Sequence, residues 1–245
     1  MEQSIASFEF RPFYNVGSQI LWRSIPTCFP TKGLFYPESL DEEEQQFASV
    51  LADATAQIDP VEEKKNRWSQ YGDNETLEFC FKDIDIPISR FTSGDFPVWY
   101  GSNDQECSKA EVTYHRIRQA NHELQYAKKE NYISFEFAFC KAEIKSDKCI
   151  DIRHLTQSTM TNLLEDGPPY PFCNEFGSAA KSKEVQVLRS KSRRWQDGEL
   201  WAVFAKDVIL SSIVKAYWHV VIFKNGQVTI CNNPVQFSNG WMSYV

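Results

Sequence analysis

The chain has 245 residues, enough for one large domain or two small ones, and with 42% hydrophobic and 14% aromatic residues it can bury a substantial core, which excludes a mainly disordered protein. A formal net charge of −7 excludes a protein whose main business is neutralising nucleic-acid phosphates. MEQSIASFEFRPF lacks a basic segment followed by an apolar core, and no apolar run reaches membrane-spanning length, so a soluble chain without an ordinary signal peptide is expected.

Ser39-Leu-Asp-Glu42 has the spacing of a capping box, with Asp41 to Glu44 favourably placed at the positive end of a helix dipole. A helix through Phe47, Leu51 and Ala54 to about Ile58 is expected to end at Asp59-Pro60, with Glu62 to Arg67 a solvated connection. Leu77, Phe79 and Phe81 alternate, and with Ile84 and Ile86 they predict one or two strands before Pro87. Ser93-Gly-Asp95 reads as a turn and Pro97-Val-Trp-Tyr100 as a short β-prone run. Ser102 starts a second cap, and good helix formers continue to about Lys129. On that helix Glu111 shares a face with Cys107, His115 and Arg118, while Val112, Ile117, Ala120 and Leu124 supply core candidates.

Ile133, Phe135, Phe137 and Phe139 alternate with Ser134, Glu136 and Ala138, the pattern of a strand with one buried face, and Cys149-Ile-Asp-Ile152 predicts another strand. A short helix through Met160, Leu163 and Leu164 stops at Gly167-Pro-Pro169. Trp201 to Phe204 reads as a strand, and Tyr217 to Phe223, Asn225-Gly226 and Val228 to Cys231 as a hairpin with a type I′ turn. No repeat or linker interrupts the pattern, which predicts one α+β domain over residues 1–245 with mostly antiparallel sheet. The seven cysteines, at 28, 80, 107, 140, 149, 173 and 231, include no CxxC pair, so most read as buried free thiols, in keeping with a reducing cytoplasm and against a metal centre. Histidines 115, 122, 154 and 219 stand apart and read as surface or capping residues, with His219 at a strand position.

Arg90-Phe-Thr-Ser-Gly94, Pro97-Val-Trp-Tyr100 and Ala110-Glu111 together resemble the core of the RES domain, a family named for its Arg, Glu and Ser. Arg90 precedes Tyr100 by ten positions and Tyr100 precedes Glu111 by eleven, matching a family pattern of Arg-bearing turn, strand ending in Leu-Tyr and Glu-bearing helix. The family serine is followed by Arg two positions later, a Gly-containing turn and a strand ending in Phe. Ser192, Arg194, Gly198 and Phe204 align with these, and Ser190 is the alternative serine. Leu21-Trp-Arg23-Ser24 resembles the arginine-bearing first strand, so the resemblance spans about 20–230 with an insertion at about 29–88. Ser89 stands where the family has Gly, and Thr92 where it has Asn.

The resemblance implies an ADP-ribosyltransferase-like fold, a single α+β domain whose mostly antiparallel split sheet and flanking helices surround an NAD cleft. It implies hydrolysis or phosphorolysis of the nicotinamide–ribose bond by a bacterial toxin or effector. NAD is then the substrate, phosphate a candidate co-substrate, and no resident cofactor is expected, in keeping with the lack of a Gly-rich dinucleotide fingerprint. Transfer of ADP-ribose to a protein and a non-catalytic nucleotide-binding module are the alternatives. The implied partner is a helix-turn-helix antitoxin or an immunity protein, with no nucleic acid or membrane, in the cytoplasm or after export without a cleavable signal.

Breaking the glycosidic bond expels neutral nicotinamide and leaves an oxocarbenium-like ribose, so a carboxylate is needed to face the developing charge. Glu111 is the candidate. Arg90, and second Arg23, can grip the pyrophosphate with parallel charge-assisted hydrogen bonds. Tyr100 offers a ring for nicotinamide, and Ser192 a hydroxyl for its amide or a phosphate, with no nucleophilic role. Phe91 and Arg194 complete the substrate-binding set.

Overall fold

Alternation of apolar and polar residues does not stop where the charges begin. In the computed structural model, Ala142, Ile144 and Ser146 stay buried between Lys141, Glu143 and Lys145, so the two strands expected at 133–139 and 149–152 are one, β3 (Tyr132–Asp151). The structure describes residues 8, 10, 12–26, 77, 80, 81, 86–126, 131–155, 163 and 169–231, with the backbone of 235–238 and 241–244. The helix expected through 47–58 lies outside them.

The other strands are β1 (Tyr14–Pro26), β2 (Trp99–Ser102), β4 (Val187–Lys191), β5 (Glu199–Val203), β6 (Ile209–Phe223) and β7 (Val228–Cys231). With β3 they form a seven-stranded mixed sheet in the order β1-β2-β5-β4-β3-β6-β7, and β1 also pairs with β3. Among the described registers only β3 with β4 is parallel. The strands β8 (Val235–Ser238) and β9 (Trp241–Tyr244) form a separate antiparallel pair. Two α-helices described from end to end accompany the sheet, α1 (Gln105–Tyr126) and α2 (Pro171–Ser182). The fold is α+β, as the sequence pattern predicts.

The chain divides into two compact units, one of residues 1–25, 73–115 and 139–216, the other of 26–72, 116–138 and 217–245. In the first, register sorts side chains onto two sheet faces. Trp99 opposes Val203 and Val203 opposes Val187, and these join Leu21, Trp201 and Cys149 in one buried cluster. On the other face Leu188, Ala202, Ile150 and Ile152 pack with Phe91 and with Cys173, Phe176 and Ala180 of α2, and Tyr100 borders that cluster. Both faces of these strands are therefore covered, which explains their nearly continuous apolar runs.

In the second unit Phe137 stacks on Trp218 with ring centres 4.6 Å apart, and the Arg116 guanidinium lies 5.2 Å from the Phe135 ring centre. The hairpin of β6 and β7 forms where Asn225-Gly226 predicts it, but the turn is longer than type I′. Gly226 N–H donates to the Phe223 carbonyl, Phe223 N–H donates to the Gln227 carbonyl, and Gly226 has φ +86. That is a three-residue turn with its glycine in the left-handed position, which closes the register one residue later.

Two further differences share a cause in periodicity. Leu77 and Cys80 are helical rather than extended, because Leu77, Cys80 and Phe81, at i, i+3 and i+4, all meet the tryptophan-side cluster. The spacing of these three residues is that of one helix face, and it overrides the period-two alternation that predicts a strand. Helix α2 was not anticipated: Pro171 occupies its first turn, where a missing N–H is harmless, after Tyr170 in the left-handed conformation at φ 51.

Candidate active site

Ser89 to Thr92 form a tight reversal, with Ser89 N–H donating to the Thr92 carbonyl at 3.0 Å and Thr92 N–H returning the bond at 3.3 Å. Thr92 is itself buried, and its hydroxyl donates to the Phe96 carbonyl at 2.7 Å while accepting from Gly94 N–H at 3.1 Å, which holds the rest of the loop. Arg90 sits at the tip. The Tyr100 hydroxyl reaches the reversal from β2, accepting Phe91 N–H at 3.0 Å and sharing a 2.9 Å hydrogen bond with Ser89 Oγ. From α2, Asn174 Nδ2 donates to the Ser89 carbonyl at 2.7 Å and the Arg90 carbonyl at 3.1 Å. Arg90 Nη1 is buried without a hydrogen-bond partner among the described residues. A buried guanidinium donor without an acceptor is an unfilled demand for an anion.

Burial pushes the Tyr100 phenol up to about 12 from its ordinary 10.0, against the opposing pull of Ser89, Phe91 N–H and the Arg90 charge. The unfolded chain ionises at its ordinary value, so the stability contributed by the neutral phenol is complete below pH 10 and is lost as pH rises toward 12. Tyr100→Phe is expected to cost about 1–3 kcal/mol near neutrality, since it leaves Phe91 N–H without an acceptor. It should also remove the alkaline increment. Denaturant unfolding of both proteins at neutral and strongly alkaline pH measures the two effects.

The second group forms where β2 runs into α1 and β4 into β5. Asp104 caps α1, its Oδ1 accepting Cys107 N–H at 2.9 Å. One turn on from Cys107 lies Glu111, half-buried. Ser192, just past β4, donates its hydroxyl to Glu111 Oε1 at 2.6 Å, and the same oxygen accepts the N–H groups of Arg194 and Trp195, each at 3.0 Å. Ser190 turns elsewhere: it is buried and donates to the Leu200 carbonyl. The Cys107 thiol lies against this pair. Burial pushes it up to about 11, opposed by the neighbouring Ser192 and Ser102 hydroxyls, so it stays a neutral packing group. The Arg194 guanidinium stacks 3.5 Å from the centre of the Tyr114 ring, three residues beyond Glu111 on α1.

Sheet alternation connects the groups. Tyr100 and Ser102 project from one face of β2 about 7 Å apart, the first anchoring the Arg90 reversal and the second bonding the thiol beside Glu111 and Ser192. Arg23 goes the other way. With Trp22 opposite Ser102, Arg23 falls on the tryptophan face, its guanidinium 5.4 Å from the Trp99 ring centre, and its Nη1 is also buried without a hydrogen-bond partner among the described residues. Phe91 is 2% exposed, a core ring behind the Arg90 reversal. A hollow of about 340 Å³ lined by Lys145, Asp147, Gln186 and Asp207 opens near the start of β4, about 20 Å along the strand from Ser192.

The RES-domain family model matches residues 78–222, more than half of the chain. The protein belongs to the RES-domain family. The matched span carries Arg90, Tyr100, Glu111, Ser192 and Arg194 and leaves Arg23 outside it. Membership links this RES domain to NAD-related enzymatic activity and is consistent with a toxin-like role. No curated protein matches the chain. Two contributors to the site had no advance signal in the RES residues themselves: Asn174, a polar residue on the otherwise apolar Cys173, Phe176 and Ala180 side of α2, and Gly177 on the same helix.

Proposed function

We propose that this RES domain cleaves the nicotinamide–ribose bond of NAD, draining it as a toxin or effector does. The observation that carries the reading is the 2.6 Å bond from Ser192 to Glu111, which joins residues 81 positions apart. As the C–N bond breaks, its electron pair goes to nicotinamide, which leaves neutral, and the ribosyl cation faces the Glu111 carboxylate. A phosphate oxygen, or a water that gives up a proton to solvent as it attacks, then bonds to the sugar carbon.

The hydroxyl of Ser192 has one proton and two lone pairs, and all three are engaged, by Glu111, Arg194 N–H and Trp195 N–H. Such an oxygen is a poor nucleophile and a good brace. Ser192 is thus a positioning residue that fixes the carboxylate, in place of the direct substrate contact expected from sequence. Arg90 offers its free Nη1 to the pyrophosphate, and Tyr100 holds the Arg90 reversal with its hydroxyl, while its ring packs against the core cluster of Phe91 and Phe176, away from the nicotinamide contact expected from sequence. On this reading the fold is ADP-ribosyltransferase-like, a helix-turn-helix antitoxin or immunity protein is the partner that silences it, and the bacterial cytoplasm is where NAD is lost.

Incubating the purified protein with NAD, with and without phosphate, should release nicotinamide, and the companion product distinguishes ADP-ribose from its phosphorylated form. Arg90→Ala should raise KM for NAD roughly tenfold or more, the loss expected for a charge-assisted hydrogen bond to phosphate. NAD left intact by wild-type protein under both conditions removes the reading. Label passing from NAD to protein acceptors replaces it with transfer.

A further inference from the structure

We infer that Asn174 is a positioning residue for Arg90, clamping the arginine's backbone so that its guanidinium is held ready for a phosphate; this rests on the reading of Arg90 as the pyrophosphate grip. Asn174 is 9% exposed and spends its amide nitrogen on two consecutive carbonyls, those of Ser89 and Arg90. An isolated buried carbonyl can be satisfied in many ways, but two successive ones bound by a single –NH₂ fix the two peptide planes that flank the Arg90 Cα. The helix brings more than one residue to this task. Gly177, one turn on, lies so close that an added Cβ would stand 2.0 Å from the Phe91 carbonyl oxygen, and Ser178 Oγ approaches Asp95 at 3.5 Å.

The reversal is therefore gripped from both sides, by Tyr100 on β2 and by Asn174 on α2, while the arginine it carries keeps a buried donor free. Rigid support with an unsatisfied functional group is what preorganised binding requires, because the ordering cost is met before the ligand arrives. Asn174→Asp keeps the shape and replaces the donor with an acceptor facing two carbonyls, which should push the reversal away.

The test is a double-mutant cycle read by ADP-ribose binding in calorimetry, with wild type, Asn174→Asp, Arg90→Ala and the double variant. Each single change should weaken binding about tenfold or more, and the double variant should bind no more weakly than Arg90→Ala alone, since Asn174 acts only through that arginine. Losses that multiply, or an Asn174→Asp protein that binds like wild type, overturn the clamp. Should the aspartate variant not fold, Asn174→Ser, which also withdraws the amide, takes its place in the same cycle. Wild-type protein that binds ADP-ribose but releases no nicotinamide from NAD defeats the proposed reaction and leaves the clamp standing. Wild-type protein that binds no ADP-ribose defeats both.

Discussion

Glu111→Gln is expected to lower nicotinamide release from NAD by about 10²- to 10³-fold, equivalent to about 3–4 kcal/mol of lost transition-state stabilisation. The substitution is nearly isosteric and its side-chain oxygen can still accept the Ser192 hydroxyl, so the link between α1 and the residues following β4 survives. What disappears is the negative charge. Since the ribose becomes positive only as nicotinamide departs, the loss should fall mainly on kcat and lightly on KM, the pattern of an interaction made in the transition state. Release measured by chromatography at saturating NAD, with the unfolding midpoint as control, decides the matter. A folded glutamine variant that works at the wild-type rate takes the carboxylate out of the chemistry.

Those parts of the site that depend on local pattern could be read from sequence. The short run ending at Tyr100 and the helix carrying Glu111 follow one another at fixed spacings, and β2 and α1 realise them within a few residues; the cap expected at Ser102 is instead Asp104, because Ser102 is still the last residue of β2. Choosing Ser192 over Ser190 needed the turn: β4 ends at Lys191, so Ser190 is still in the ladder and bonds Leu200, while Ser192 is past it and reaches Glu111. Sequence spacing favoured Ser192 but did not reveal that its hydroxyl is fully engaged.

What escaped the sequence depends on register and on tertiary contact. Whether Arg23 joins Tyr100 is decided by one alignment, Trp22 opposite Ser102, and a slip of one residue would have exchanged the faces. Phe91 adjoins Arg90 in the chain yet faces the core, as neighbours in a tight reversal commonly diverge. Helix α2 was hidden by Pro-Pro-Tyr-Pro, which reads as a stop although Pro171 suits a first turn. Its contribution to the site is a side-chain amide and a missing Cβ, neither of which has a periodicity to detect.

That missing Cβ leads to the second large expected effect. In an exposed helix, Gly→Ala stabilises by roughly 1 kcal/mol, because alanine loses less backbone entropy. At Gly177 the sign should reverse. The new methyl would lie 2.0 Å from the Phe91 carbonyl oxygen and 2.7 Å from its carbon, and these are backbone atoms that no rotamer change can withdraw. Relief requires α2 or the Arg90 reversal to move, and overpacking of that kind costs about 3 kcal/mol at the upper end of its usual range. Net of the helix gain, about 2 kcal/mol of destabilisation remains, or a fall in Tm of roughly 4–8 °C for a chain of this size. Activity should suffer beyond stability, with KM for NAD rising at temperatures where the variant is fully folded, because the displaced segment is the one that Asn174 and Tyr100 hold around Arg90. Thermal unfolding and steady-state kinetics on the same preparation test both parts. A Gly177→Ala protein as stable as wild type with unchanged KM would mean that α2 does not press on the reversal at all.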